Sequence, residues 1–171
     1  MAIKVAIIGL GIMGRRMLAH MRIHKKFEPD YLWDPDQSAC QKANVIDSKS
    51  IIMDSGSEAI RKADLVYLAC PPAVREPYAL EAASAGKALF LEKPFGINID
   101  VSARLMARLK SCGVPVAVNF TQASGTALTD LLDAKKRGEM GDLLGVDIVV
   151  NYPNWPRQWQ KDADWLRFRA E

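Results

Sequence analysis

A short apolar run, Ile3 to Ile8, passes directly into Gly9-Leu10-Gly11-Ile12-Met13-Gly14. A run of that length bounded by glycine reads as a buried parallel strand. A G-x-G-x-x-G set after such a strand narrows the fold to a strand–turn–helix unit built around a nucleotide. Gly9 permits the tight turn, Gly11 lets the backbone approach a pyrophosphate, and Gly14 lets the next helix pack close to the sheet. Ile12 and Met13 fall where the helix begins. Its unpaired N–H groups and positive end would face the phosphates there.

A second feature agrees with the first. The apolar run Tyr31-Leu32-Trp33 closes on Asp34, twenty residues beyond Gly14. An acid at the tip of the second strand accepts hydrogen bonds from the adenosine ribose hydroxyls and repels a 2′-phosphate. Asp34 therefore favours NAD over NADP. The following Pro35-Asp36-Gln37-Ser38 offers no arginine for a 2′-phosphate, although Arg15 and Arg16 lie at the start of the first helix. The plainer alternative for Asp34 is a turn or helix-cap residue in Asp-Pro-Asp.

Strand and helix patterns alternate along most of the chain, as in a parallel sheet covered on both faces. Strands are expected at 3–8, 30–33, 51–53, 65–69, 88–91 and 114–118. Helices are expected near 12–24, 36–44, 57–62, 74–85, 99–112 and 124–137, with Gly86, Gly113 and Gly138 as C-terminal stops. The fold class is α/β, a doubly wound parallel Rossmann sheet of order 3-2-1-4-5-6. Right-handed crossovers place the carboxyl ends of all strands on one rim. Gly9 to Gly14, Asp34, Cys70-Pro71-Pro72, Glu92-Lys93-Pro94 and Asn119 all fall on that rim.

With 171 residues, 49% of them hydrophobic, the chain has enough apolar matter for one good core. A net charge of +3, spread along the chain without a basic stripe, argues against a nucleic-acid partner. No run is long enough to span a membrane or laid out as a signal peptide. Cys40, Cys70 and Cys112 are odd in number and lack metal-ligand spacing, so reduced thiols, no metal and a cytoplasmic location are the expectation.

The tail departs from the alternation. Leu143 to Tyr152 reads as a seventh strand, preceded by Gly138 and Gly141 and followed by Pro153, Pro156 and the tryptophans Trp155, Trp159 and Trp165. Such a strand has nothing of its own to pair with and needs a sheet edge from elsewhere. The tryptophans read as core or interface aromatics of a missing domain rather than ligand stackers. The expected organisation is a cofactor domain over 1–122, a connecting helix over 123–141, and over 142–171 the start of an incomplete α+β domain for substrate and oligomerisation. A homo-oligomer formed through this strand region is expected.

Glu92-Lys93-Pro94 after strand five, the glycine motif after strand one and Pro71-Pro72 after strand four together resemble the Gfo/Idh/MocA family of glucose–fructose oxidoreductases and inositol dehydrogenases. The likeness runs through Gly138-Glu139-Met140-Gly141-Asp142, where that family enters its second domain. It implies NAD(P)-dependent hydride transfer to or from a sugar, polyol or related small molecule. It makes Lys93 the catalytic or substrate-orienting residue. It also implies a chain about twice as long, whose second half carries an aspartate and a histidine used as acid and base. Those have no counterpart here, because the only histidines are His20 and His24 on the first helix. Arg75 stands where the family commonly carries a histidine, and Asn119-Phe120-Thr121-Gln122 lacks an arginine common at that point.

Hydride transfer needs a nicotinamide beside a C–H carbon and a group that moves the hydroxyl proton. A rim lysine suits the second role. Glu92 either pairs with Lys93 or binds the nicotinamide ribose, and the resemblance favours the ribose. Pro71-Pro72, next to Cys70, either starts a helix or packs against the nicotinamide. Asn119 either binds ligand or satisfies the strand end. Two alternatives stand beside this reading. One is a β-hydroxyacid dehydrogenase, whose Asp-x-x-x-Ser-Gly-Gly segment is missing here. The other is a non-catalytic dinucleotide-binding or redox-sensing module.

Overall fold

Strand after strand, the apolar runs pair in parallel, because helices on both faces can bury runs that carry almost no polar residue. A computed structural model of the chain describes residues 1–157, 160 and 161. The elements run β1 (Ile3–Ile8), α1 (Ile12–Ile23), β2 (Phe27–Trp33), α2 (Gln37–Ile46), β3 (Ile51–Ile52) and α3 (Gly56–Lys62). They continue with β4 (Leu65–Leu68), α4 (Pro72–Ser84), β5 (Ala88–Leu91), α5 (Ile99–Ser111), β6 (Val116–Val118) and α6 (Thr126–Lys136). A short 3-10 turn, Thr121–Ser124, precedes α6. The strand order is β3-β2-β1-β4-β5-β6, and every pairing is parallel. Order and direction match the expectation from the alternating pattern.

The chain forms two units, Met1–Asn119 and Phe120–Glu171. In the first, the sheet divides the core in two. Val5, Ile7, Leu32 and Tyr67 point to one face and pack with Leu18 and Met21 of α1 and Ala39, Cys40 and Ala43 of α2. Ala6, Ile8, Val66, Leu68, Leu89 and Leu91 point to the other, where α3, α4 and α5 cover them. The period-2 alternation of each strand thus feeds two separate apolar layers.

Three helices begin with side-chain caps. Asp36, Ser55 and Asn98 accept hydrogen bonds from the N–H groups of Ser38, Glu58 and Val101 at 2.9, 3.1 and 3.0 Å. Such caps satisfy N–H groups that a helix cannot pair internally. Helix α1, with Gly11 at its N-cap, has no side-chain cap, and neither do α4 and α6 at Pro71 and Gly125.

Two sequence expectations are corrected. Strand β2 begins at Phe27, three residues before the expected Asp30, and takes in Glu28 and Pro29. Proline reads as a strand breaker, but here it coincides with a register shift: Lys4 pairs with Glu28 while Ala6 pairs with Tyr31. Proline is tolerated at such a bulge because its missing N–H lies outside the ladder. The free Pro29 carbonyl accepts from Ser50 Oγ at 2.5 Å and Arg22 Nη2 at 3.2 Å.

The second correction concerns the tail. Leu143–Tyr152 is not a strand: no ladder forms there and it adds nothing to the six-stranded sheet. Leu144, Ile148 and Val149 lie 98%, 79% and 83% exposed. An apolar run becomes a strand only where an edge supplies its hydrogen bonds, and none pairs with it among the described residues. Beyond it, the Tyr152 and Trp155 rings lie 6.0 Å apart between centroids, with Arg157 over Tyr152 at 4.5 Å. Trp159 and Trp165 lie outside the described residues. Among the described residues no helix is long and apolar enough to cross a membrane.

Candidate dinucleotide site

The glycine loop has the three properties its spacing suggests. Gly9 has φ +94°, a region that disfavours side chains, and a Cβ added to it would sit 2.5 Å from the Cys70 backbone nitrogen. A Cβ on Gly14 would overlap the Gly9 carbonyl oxygen, so α1 lies directly against the loop. A Cβ on Gly11 would meet no atom within 4 Å. The loop is therefore packed tight on its protein side at Gly9 and Gly14 and open at Gly11. Together with the uncapped start of α1, this fits a pyrophosphate approaching the helix N-terminus. Ile12 and Met13 are half-buried in the first turn.

Asp34 follows β2 directly and bends back toward this loop. Its Oδ2 accepts from the Leu10 N–H at 2.6 Å, and its Oδ1 accepts from the Asp36 N–H at 2.8 Å. The carboxylate is thus fixed next to the glycine loop, and each oxygen keeps acceptor capacity for a hydroxyl. The turn reading and the ribose reading are compatible, since the Asp36 contact is an Asx turn. Arg15 donates to the Leu10 carbonyl at 2.6 Å.

Across the sheet's midline lies a buried polar cluster. Glu92 ends β5 and is only 3% exposed. Its Oε1 accepts from Tyr67 Oη at 2.6 Å and from Asn119 Nδ2 at 2.5 Å, and its Oε2 accepts from the Lys93 N–H at 3.2 Å. Glu92 therefore faces the protein, and Asn119 spends one donor on it. Burial, reinforced by the adjacent Glu92 carboxylate, pushes the Tyr67 phenol far up, so it remains a donor. Lys93 is exposed on the rim next to this cluster, and the Lys93–Pro94 peptide bond is cis.

Arg75, which in sequence stands out only as a departure from a family pattern, is the largest fully buried side chain among the described residues, at 2% exposure. Nη1 donates to the carbonyls of Glu92 and Pro94, the latter at 2.5 Å, and Nη2 donates to the Cys70 carbonyl at 2.8 Å. Burial lowers its affinity for a proton, while the neighbouring Cys70 and Glu92 oppose that shift; a guanidinium stays cationic in any case. The readable signal was its place on the buried stripe of α4 with Ala79, Ala82 and Ala83. A charge on such a stripe has to have partners.

The Cys70 side chain is buried and its thiol is pushed up by burial, so only its backbone belongs to the rim. Pro71 caps α4 and Pro72 opens it, the helix-start role that proline suits. An apolar hollow of about 490 Å³ lies elsewhere, at the amino ends of the strands, where His20, His24, Phe27 and Pro115 line it. The histidines are thus remote from the rim, and the hollow lacks the polar groups a dinucleotide would need.

Known proteins are similar to this chain in sequence and in fold. Residues 3–120 match the Gfo/Idh/MocA model described as an oxidoreductase family with an NAD-binding Rossmann fold. The chain belongs to that family. This also removes the β-hydroxyacid dehydrogenase alternative. A dTDP-3,4-didehydro-2,6-dideoxy-alpha-D-glucose 3-reductase of Streptomyces violaceoruber is 32% identical over 114 residues, covering 65% of this chain and 31% of the relative. Apo scyllo-inositol dehydrogenase from Lactobacillus casei superposes with a TM-score of 0.73 at 18% identity, covering 82% of this chain and 43% of that one. The same enzyme with bound NAD(H) and scyllo-inositol gives 0.71 at 17% identity, covering 83% and 43%. At such identity these structures speak for the fold. The chain spans less than half the length of each of these relatives.

Proposed function

We propose that this chain is the cofactor-binding half of an oxidoreductase that moves a hydride between NAD and a sugar, polyol or related small molecule. The observation that carries the reading is the opening at Gly11 beside the uncapped start of α1, with Asp34 held next to it. Gly11, Ile12 and Met13 would offer backbone N–H groups to the pyrophosphate, while Gly9, whose N–H donates to the Trp33 carbonyl at 2.9 Å, and Gly14 would shape the turn that lets it approach. Asp34 would accept the adenosine ribose hydroxyls and disfavour a 2′-phosphate. The Cys70 backbone, Pro71 and Pro72 would flank the nicotinamide side. When bound, the nicotinamide supplies the hydride chemistry.

Lys93 would hold or pass the proton of the substrate hydroxyl from its rim position. Glu92 and Asn119 would act from beneath, since the Glu92 carboxylate accepts the Lys93 N–H. Residues 142–171 would belong to a separate substrate-side domain, a use for the exposed apolar side chains between Leu143 and Val150. The sugar and polyol substrates of the relatives motivate the substrate class.

The test is competitive labelling of the lysines with an amine-reactive reagent, read by mass spectrometry with and without NADH. Saturating NADH should slow labelling of Lys93 several-fold and leave Lys25, Lys49 and Lys110 unchanged. Equal labelling of Lys93 at saturating NADH would remove it from the cofactor site.

A further inference from the structure

Nothing in the glycine loop, Asp34 or Lys93 requires a cation buried inside α4, yet one is there. All three carbonyls that Arg75 engages belong to two rim turns: Cys70 after β4, and Glu92 and Pro94 after β5. Glu92 and Pro94 are the residues on either side of Lys93. The Glu92–Lys93 and Pro94–Phe95 peptide units, one on each side of Lys93, are therefore tied from below to one guanidinium, and the same group ties them to the Cys70 turn. Lys93's own N–H is held by the Glu92 carboxylate. Arg75 Nε is buried without a hydrogen-bond partner. The side chain is thus placed for its two terminal nitrogens at some expense to the third.

We propose that Arg75 is the positioning residue for Lys93, fixing its backbone at a set distance from the β4 turn. The proposal rests on the reading of Lys93 given above. Its physical core is the geometry of the fork. A guanidinium offers donors in fixed directions and bridges several carbonyls at once, whereas an ammonium is a point donor on a flexible stem. A role confined to charge would be met by lysine; a role in spanning two turns would not.

The experiment compares wild type with Arg75→Lys and Arg75→Met by hydrogen exchange of the unliganded chain, with thermal melts alongside. In both variants the Lys93 amide, whose N–H is held by the Glu92 carboxylate, should exchange at least about ten-fold faster, as local opening of a released turn requires. Amides of β1 should stay within about two-fold of wild type, since the sheet does not depend on this contact. If Arg75→Met does not fold, Arg75→Lys, which keeps the charge, carries the comparison. Wild-type protection of the Lys93 amide in Arg75→Lys would overturn the proposal, because charge alone would then suffice. So would a uniform rise across the whole unit, which would make Arg75 a general stabiliser. NADH protection of Lys93 from amine labelling should also weaken in Arg75→Lys, an effect that lost stability alone would not produce. Should wild-type Lys93 show no protection by NADH, the functional reading of Lys93 fails, while the exchange comparison still decides whether Arg75 holds the turn.

Discussion

Substituting alanine at each glycine of the loop separates a site from a structural turn. At Gly11 the backbone angles are φ −63° and ψ −163°, open to any residue, and a Cβ meets no atom within 4 Å. Alanine at an N-cap is worse than glycine by several tenths of a kcal/mol. Against that, the unfolded chain loses freedom, which stabilises by about 0.4–1 kcal/mol. The two nearly cancel, so Gly11→Ala should melt within a few degrees of wild type. Its methyl group would nevertheless occupy the space through which the pyrophosphate must approach. NADH affinity should fall at least about ten-fold, or ~1.4 kcal/mol. Gly14→Ala behaves oppositely, because its Cβ overlaps the Gly9 carbonyl; overpacking of that kind costs about 1–3 kcal/mol or more. The assay is a thermal melt followed by circular dichroism, paired with NADH fluorescence titration of each folded variant. Unchanged NADH affinity in Gly11→Ala would refute the reasoning, as would a melting loss equal to that of Gly14→Ala.

Tyr67→Phe removes a donor from the buried Glu92 carboxylate, which should cost about 1–3 kcal/mol in a denaturant titration; a loss below the error of the fit would mean that Asn119 alone satisfies Oε1. Asp47 anchors the β2–α2 side. Burial by itself would raise its carboxyl, but hydrogen bonds from Ser50 and Arg22 and the Lys49 N–H outweigh burial and hold it below the usual range. Its stabilising contribution is thus complete above the unfolded carboxyl range and disappears as pH falls through the folded value. Asp47→Asn should flatten this acid limb of the stability–pH curve, and an unchanged limb would assign it to other carboxylates. Asp34→Ala should weaken NADH binding and narrow the gap to NADPH, as measured by titration with each; an unchanged preference would take Asp34 out of the ribose site.

Much of the fold is legible because its signals are local. The run Ile3 to Ile8, the glycine spacing and the C-terminal stops at Gly86 and Gly113 each specify a backbone state without reference to distant residues. The places where reading failed are those where a distant partner decides. Pro29 reads as a breaker until the bulge between β1 and β2 is seen. Leu143–Tyr152 has strand composition but no edge to pair with, and composition cannot supply one. The candidate site divides the same way. Gly9, Gly14 and Asp34 are recognisable from spacing. Glu92 and Asn119 are recognisable as rim residues, but their mutual hydrogen bond, and so the inward turn of Glu92, depends on β5 and β6 being neighbours. Arg75 joins turns that follow two different strands, and no local pattern announces those three carbonyls.

The rim between the glycine loop and Asp34 is proposed to bind NAD in preference to NADP. Calorimetric titration of the 171-residue chain with NADH and, separately, with NADPH tests it most directly. NADH should bind saturably and NADPH clearly more weakly, and that difference should be lost in Asp34→Ala. Equal binding of the two cofactors, or binding of neither, would contradict it.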